Sequence, residues 1–307
     1  MVISVVIPIY NEEENLPILY DRLIKTFSEI AYELELIFVY DCGTDNSLQI
    51  IKDISSKDSR VKFLEFSRNF GHQIAITAGI EYSTGEAVII MDGDLQDPPE
   101  LLPTLIDKYK EGFEVVYAKR KSRDGIGFFK KLSYKIFYRL LKLLSPIDIP
   151  LDTGDFRIID KKIVEVLKQM PEKEKFVRGQ IAWMGFNQTF IEYDRDKRLS
   201  GEPGYTFPKL LKLALDGIFS FSNMPLRIAT VVGTMVSFIS FSLIIWVVTQ
   251  RIIQPNYDIQ GWYSLMVSVL FIGGVQLISI GLIGEYISRM NSNTKGRPLY
   301  VLKDKKL

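Results

Sequence analysis

Two hydrophobic patterns divide the chain. Over roughly the first 120 residues, short continuous apolar runs alternate with longer mixed stretches. Ile3–Ile9, Leu34–Val39, Val61–Phe66, Ala87–Met91 and Val115–Ala118 are rich in Val and Ile and too short for helices, so they read as buried strands. Helix-length segments lie between them, one opening at Thr44-Asp45-Asn46-Ser47, residue types that favour helix starts. This alternation predicts an α/β domain whose mostly parallel sheet is covered on both faces. The run from Met1 to Tyr10 has no basic leader or cleavage site, so it reads as a strand and not as a signal peptide.

The second pattern is continuous. Ile228–Thr249 and Tyr263–Gly284 are each 22 residues without a charge, more than the roughly 20 that cross a bilayer as a helix. Buried core helices are the alternative, but two such runs with small residues and Trp near their ends favour membrane spans. The connection from Gln250 to Trp262 is short, which predicts a hairpin with both flanks on one side. That loop carries Arg251 offset by Asp258, whereas the flanks carry Lys209, Lys212, Arg227, Arg289, Lys295, Arg297, Lys303, Lys305 and Lys306. The positive-inside rule then predicts a multi-pass protein of the inner (plasma) membrane with its N-terminal domain in the cytoplasm.

With 38 basic and 37 acidic residues, the net charge of +1 excludes a globally basic nucleic-acid binder. One cysteine, Cys42, excludes a disulfide framework and a multi-cysteine zinc site, and the single histidine, His72, leaves a histidine-based metal cluster or a Ser-His-Asp triad one place to sit.

Ligands of open α/β sheets bind beyond the carboxyl ends of the strands. The expected strands are followed by Pro8-Ile9-Tyr10-Asn11-Glu12-Glu13, by Asp41-Cys42-Gly43-Thr44-Asp45, by Ser67-Arg68-Asn69-Phe70-Gly71, by Asp92-Gly93-Asp94-Leu95-Gln96-Asp97-Pro98-Pro99-Glu100, and by Lys119-Arg120. Two carboxylates one residue apart, Asp92 and Asp94, with Gln96 beside them, suit Mg²⁺ or Mn²⁺ better than zinc. An ordinary acidic turn has the same Asp-Gly signature. An EF-hand is excluded, because the loop lacks Gly at its sixth position and Glu at its twelfth.

These strand-end segments resemble glycosyltransferase family 2, whose catalytic domains have the Rossmann-like GT-A fold. Phe66-Ser67-Arg68-Asn69-Phe70-Gly71-His72-Gln73, Asp152-Thr153-Gly154-Asp155-Phe156-Arg157, Asp216-Gly217-Ile218-Phe219-Ser220-Phe221-Ser222, and Gly281-Leu282-Ile283-Gly284-Glu285-Tyr286 with Lys295-Gly296-Arg297-Pro298 narrow the likeness. They are similar to polyisoprenyl-phosphate glycosyltransferases of the dolichol-phosphate mannose synthase and bactoprenol glucosyltransferase types. The resemblance implies that Pro8, Tyr10, Glu12, Asp41, Asp92 and Arg120 bind a nucleotide sugar. It implies that Asp92, Asp94 and Gln96 surround the metal, with Asp94 and Asp155 as catalytic residues. Asp155 is read either as a base or sugar-orienting group, or as the ion-pair partner of Arg157 or another cation. UDP-glucose and undecaprenyl phosphate are the implied donor and acceptor, with GDP-mannose and UDP-N-acetylglucosamine as other donors. Three departures stand out: Asp41-Cys42-Gly43 replaces the usual Asp-Gly-Ser, Gly204 replaces a Lys before Tyr205, and Asn291-Ser292-Asn293 replaces an acidic stretch. A catalytically inactive membrane adaptor of the same fold is the alternative from another class. A processive synthase is disfavoured, because two spans cannot form a channel alone and Gln-x-x-Arg-Trp is absent.

Lys119 to Lys142 holds nine basic residues and one acid, Asp124. The basic stripe Lys131, Lys135, Arg139 and Lys142 opposes Phe129, Leu132, Ile136, Leu140 and Leu143, a pattern that suits either a membrane interface or a core helix with a solvated basic face. Arg120, Lys130, Lys131, Arg195 and Arg198 are the expected grips on the acceptor phosphate. His72 and Trp183 read equally as packing residues or as donor- and acceptor-site residues. Gly273, Gly274, Gly281 and Gly284, at helix-packing spacings, predict a homo-oligomer. The expected organisation is a GT-A domain over 1–207 with a basic helix near 128–144, a juxtamembrane helix over 208–227, two transmembrane helices over 228–287, and a cytoplasmic tail over 288–307.

Overall fold

The computed structural model describes residues 1–121, 153–194, 224–253 and 261–307. The expected basic helix near 128–144, most of the juxtamembrane helix, and Lys130, Lys131, Arg195 and Arg198 lie outside the described residues. The described residues fall into two units, one of 1–121, 153–194 and 297–307, the other of 224–253 and 261–296.

In the first unit the chain runs β1 (Val2–Ile9), α1 (Asn15–Ser28), β2 (Glu33–Tyr40), α2 (Ser47–Lys57), β3 (Val61–Phe66), α3 (His72–Tyr82), β4 (Ala87–Ile90), α4 (Leu102–Lys110), β5 (Val115–Arg120), β6 (Thr153–Asp160), α5 (Lys161–Gln169), α6 (Val177–Trp183) and β7 (Gln188–Tyr193). It returns as β8 (Leu302–Lys306). The strands form one sheet in the order β7-β5-β6-β4-β1-β2-β3-β8. β3, β2, β1 and β4 run parallel, as do β5 and β7; β6 and β8 are antiparallel to their neighbours. The result is a Rossmann-like mixed sheet of GT-A type.

The continuous apolar runs are explained by burial on both faces. Ile3, Val5, Ile7 and Ile9 of β1 pack with Leu16, Leu19 and Leu23 of α1, Ile51 of α2 and Leu105 of α4. Val6 points the other way, with Ala75, Ile76 and Ala78 of α3, Ile163 and Leu167 of α5 and Ile181 of α6. Gly79 lets α3 approach the sheet, since a Cβ there would sit 2.1 Å from Val6 Cγ1.

The residues expected as a tail are ordered into structure. The last long helix continues to Thr294, and Leu302–Lys306 then pairs with β3, with Phe63 opposite Lys306 and Phe66 opposite Leu302 across a register shift.

The second unit consists of α7 (Met224–Ile253) and α8 (Trp262–Thr294), both long and apolar enough to cross a membrane. Large apolar side chains face outward along them, Phe238 being 73% exposed, a surface large enough to mark contact with a membrane or with other protein. Several of their hydroxyls are satisfied within the helix: Thr230, Thr234, Ser242, Thr249 and Ser279 each donate to the carbonyl four residues earlier. That is the economy an apolar solvent imposes on polar groups.

At the amino edge of the sheet, buried Glu35 of β2 accepts from Ser4 Oγ, Thr84 N (2.8 Å), Thr84 Oγ1 (2.6 Å) and Lys62 Nζ (2.7 Å). Burial works to raise its pKa, but the bonds from Lys62, Ser4 and Thr84 outweigh it and hold the carboxyl below the usual glutamate value. Glu35→Ala is expected to cost about 3 kcal/mol, because it leaves buried donors unpaired. The depressed folded pKa makes this stabilisation complete above the ordinary glutamate pKa and lost as pH falls through the folded one. Melting curves at pH 7 and at pH values falling through the folded carboxyl's pKa check this: the gap between wild type and variant should narrow in acid.

Candidate active site

The first strand ends in a half-exposed Tyr10, and the next residue, Asn11, takes a φ of 57°. That left-handed turn presents Asn11 Oδ1 to Thr44 N at 2.7 Å, tying the loop after β1 to the loop after β2. Gly43 makes room for it, since a Cβ there would lie 2.4 Å from Asn11 Oδ1. Pro8 is buried within β1, paired with Val39. The Glu12 carbonyl accepts from Asn15 N and Leu16 N, and its carboxylate accepts from Asn15 Nδ2 at 2.6 Å, so Glu12 also organises the start of α1.

Asp41 follows β2 and is buried. Its two oxygens accept from Phe70 N at 2.6 Å and Gly71 N at 2.9 Å. Burial raises its pKa more than these two bonds lower it. Gly71 has a φ of 100°, which glycine adopts without the strain a side chain would bring.

After β4 the chain passes Asp92 and Gly93, then turns at Leu95, whose φ is 60°. Asp94 is buried and accepts from Gln96 N at 3.1 Å, so the acidic turn closes on itself. Asp97, fully buried, accepts from Tyr193 Oη at 2.6 Å, fastening this loop to the end of β7. Arg120 closes β5 beside Gly154, where a Cβ would come within 3.0 Å of Arg120 Nη2.

Asp155 enters the same edge because β6 runs antiparallel. It is 5% exposed. Arg178 of α6 reaches it twice, Nε to Oδ1 at 2.8 Å and Nη2 to Oδ2 at 3.1 Å. Gln73 Nε2 donates at 3.2 Å, and His72 Nε2 lies 3.1 Å from Oδ2. Arg157, expected as an ion-pair partner, stands back at 3.6 Å; its guanidinium donates to the carbonyls of Gly154 and Asp155 and lies over the Tyr117 ring. Burial favours the protonated acid, but Arg178 and His72 reverse this and hold the Asp155 carboxyl well below the usual carboxylate range.

His72 Nε2 is also 3.5 Å from Asp92 Oδ1. Burial lowers the imidazolium pKa, yet the hydrogen bond with Asp155 and the charges of Asp92 and Asp155 carry it up to about 9. The structure thus sets one imidazole between Asp92 of the acidic pair and Asp155. His72, Gln73, Arg178, Asp97 and Tyr193 are the site residues that sequence reasoning left aside or weighted lightly. The strand-end and family-like segments contain His72, Gln73 and Asp97 without fixing their roles, and nothing in the sequence points to Arg178 or Tyr193. Trp183, at the end of α6, is 62% exposed and not in the core.

Among the described residues no three His, Cys, Asp or Glu side chains form a ready-made metal cage. Two carboxylates and an amide at a strand end match instead the chemistry of Mg²⁺, which keeps waters and shares its shell with substrate phosphates.

Residues 4–168 match the family Glycosyl transferase family 2, and residues 224–290 match the GtrB C-terminal hairpin. The chain is 48% identical over 299 residues to the uncharacterized glycosyltransferase YkcC of Bacillus subtilis, covering 97% of this chain and 92% of that one. It is 42% identical over 307 residues to the bactoprenol glucosyl transferase of Shigella phage SfX, covering 100% of both. It is 41% identical over 304 residues to a prophage bactoprenol glucosyl transferase homolog of Escherichia coli, covering 99% of both. The solved structure of glucosyl-3-phosphoglycerate synthase from Mycobacterium tuberculosis is 19% identical, with a TM-score of 0.47 over 71% of this chain and 77% of that one.

Removing Arg178 leaves Asp155 without its bidentate partner. Arg178→Ala is expected to destabilise the first unit by about 3 kcal/mol, and Arg178→Lys by less, since one charge without the fork is restored. Thermal unfolding of both variants beside wild type at pH 7 checks the order.

Proposed function

We infer the reaction from the family: this chain belongs to glycosyl transferase family 2 and carries a hairpin of the GtrB type over residues 224–290. The reaction is transfer of glucose from UDP-glucose to a polyisoprenyl phosphate, undecaprenyl phosphate in the first instance. The observation that carries it is end-to-end identity of 41–42% with proteins named bactoprenol glucosyl transferase, through both units of the chain.

The site's chemistry supports this reading. A phosphate monoester is already anionic at neutral pH, its second pKa being about 6. A phosphate oxygen attacks the anomeric carbon, the new C–O bond forms as the bond to the nucleoside diphosphate breaks, and the configuration inverts. Such an acceptor needs no strong base, and a buried carboxylate held well below its usual range makes a poor one. Asp155 is therefore assigned an orienting role, fixing Arg178 and His72 at the edge of the sheet.

Pro8, Tyr10, Glu12 and Asp41 are assigned to the nucleoside, with Asp92 and Arg120 toward the diphosphate and sugar. Asp92, Asp94 and Gln96 would hold Mg²⁺ or Mn²⁺, which when bound offsets the charge growing on the leaving diphosphate. His72 positions Asp92 from behind. Arg120 with Lys130, Lys131, Arg195 and Arg198 is assigned to the acceptor phosphate.

The hairpin is assigned to the membrane. Basic residues on both flanks of the hairpin, against one Arg offset by one Asp in its connecting loop, support two crossings with both ends in the cytoplasm. Gly273, Gly274, Gly281 and Gly284 have open space where a Cβ would stand, which leaves them available for contacts in a homo-oligomer.

Purified protein with radiolabelled nucleotide sugars, undecaprenyl phosphate and Mg²⁺ or Mn²⁺ should yield a lipid-extractable product. Asp94→Ala is expected to lower that rate at least about 100-fold; no product from any donor with folded wild-type protein overturns the reading. His72→Ala should raise the metal concentration for half-maximal binding about 10-fold, the usual size for a residue behind a metal ligand. Mn²⁺ titration followed by its spin resonance signal measures this without turnover.

A further inference from the structure

The C-terminal strand is mostly charged, yet it is bound into the sheet through many contacts. Lys303 and Lys52 both reach the nearly buried carboxylate of Glu65, at 2.8 and 2.9 Å, and Lys52 also reaches Asp304 at 2.9 Å. Lys306 Nζ donates to the Ser55 carbonyl, and Lys173 Nζ to the Arg297 carbonyl. Just before the strand, Ser67 N donates to the Val301 carbonyl at 2.9 Å, and Tyr300 Oη donates to Glu81 of α3.

Tyr300 is the informative residue. Its ring stacks on Phe66 at 5.1 Å with an interplanar angle of 22°. Phe66 in turn meets Phe70 edge to face at 5.5 Å. The Arg68 guanidinium also lies against Phe70, 4.0 Å from its ring centre. Phe70 N and Gly71 N are the two donors to Asp41. An unbroken run of contacts therefore leads from Tyr300 through Phe66 and Phe70 to the Asp41 carboxylate. The segment from Ser67 to Gly71 contains a glycine at positive φ and belongs to no helix or strand. Its conformation depends on what packs against the two aromatic rings that flank and occupy it.

We propose that residues 300–306 are a strap that sets the nucleoside end of the donor site, with Tyr300 as a positioning residue acting through Phe66 and Phe70 on Asp41. This rests on the assignment of Asp41 to the nucleoside. Stacking area on Phe66 is the operative contact, and the hydroxyl bond to Glu81 is secondary. Phenylalanine at position 300 should accordingly preserve the function and alanine should lose it.

The test uses the full-length chain in detergent and three variants, Tyr300→Phe, Tyr300→Ala and Asp41→Asn. Deuterium exchange is followed at the peptide spanning residues 66–73. Affinity is measured by calorimetry with Mg²⁺ and UDP or GDP, whichever the wild type binds. Tyr300→Ala should speed exchange at this peptide about 10-fold, leave β1 and β4 peptides unchanged, and weaken nucleotide binding about fivefold. Tyr300→Phe should match wild type in both. The transfer assay should show a raised KM for the nucleotide sugar with kcat within about twofold.

Unchanged exchange at residues 66–73 overturns the strap. So does faster exchange with intact nucleotide affinity, provided Asp41→Asn does weaken binding. If Asp41→Asn also binds normally, the assignment of Asp41 is what has failed, and the strap loses its proposed role with it. Global acceleration of exchange in Tyr300→Ala, with Tyr300→Phe equal to wild type in exchange and reduced in affinity, also counts against the positioning role.

Discussion

An ionised carboxylate cannot be buried alone; its uncompensated desolvation costs several kcal/mol. Asp155 meets this constraint by drawing cations and donors from three separate elements. Arg178 comes from α6, His72 and Gln73 from the first turn of α3, and Arg157 from its own strand. Gln73 is used twice, because its Oε1 also accepts from Val177 N and so fixes where α6 begins. The placement of α6 against α3, and of His72 beside Asp92, thus follows from neutralising one charge. The same cluster that holds this edge of the domain together lies against Asp92, one of the carboxylates proposed to hold the metal.

Backbone strain gathers at this edge too. Among the described residues only Asn11, Cys42 and Leu95 are non-glycine residues at positive φ, and they follow β1, β2 and β4 respectively. Each such conformation costs about 1 kcal/mol or more. Asn11 is compensated through its bonds to Thr44. Leu95 is compensated by burial of its side chain in the core. Cys42 stands where the family pattern has glycine, so the departure from that pattern leaves the turn's geometry in place and raises its cost. These strand-end turns violate local preference where ligands are expected to bind, as functional sites do.

The central strands were legible because both faces of the sheet are covered, which leaves a continuous apolar run at each of β1 to β5. β8 was not, because Leu302-Lys303-Asp304-Lys305-Lys306 has no such run. As an edge strand it is stabilised by ladder bonds and by charge pairs with Glu65, which composition does not announce. The acidic pair Asp92 and Asp94 was visible from local spacing at a strand end. The partners of Asp155 were not: His72 lies 83 positions away and Arg178 lies 23 positions away. No periodicity links such positions; only the antiparallel entry of β6 and the docking of α6 bring them together. Trp183 shows the reverse limit, since a tryptophan in an apolar setting reads as core until the fold exposes it.

On the proposed reaction, the central difficulty is gathering anions. A nucleoside diphosphate and a phosphate monoester must approach within bonding distance of one carbon, each carrying about two negative charges. The carboxylates of the described edge, Asp41, Asp92, Asp94, Asp97 and Asp155 among them, are not outnumbered by Arg120, Arg157, Arg178 and His72, so this edge offers the substrates no clear excess of positive charge. Arg178 and His72 are moreover already engaged by Asp155. On the proposed assignments, the excess positive charge would come with a divalent ion at Asp92 and Asp94, and from the basic residues that the sequence places from Lys119 onward. Splitting the cations in this way separates the two substrates' demands. The ion would serve the donor diphosphate, and the basic segment the acceptor phosphate. A site built so would hold both anions only once ion and basic segment are both in place.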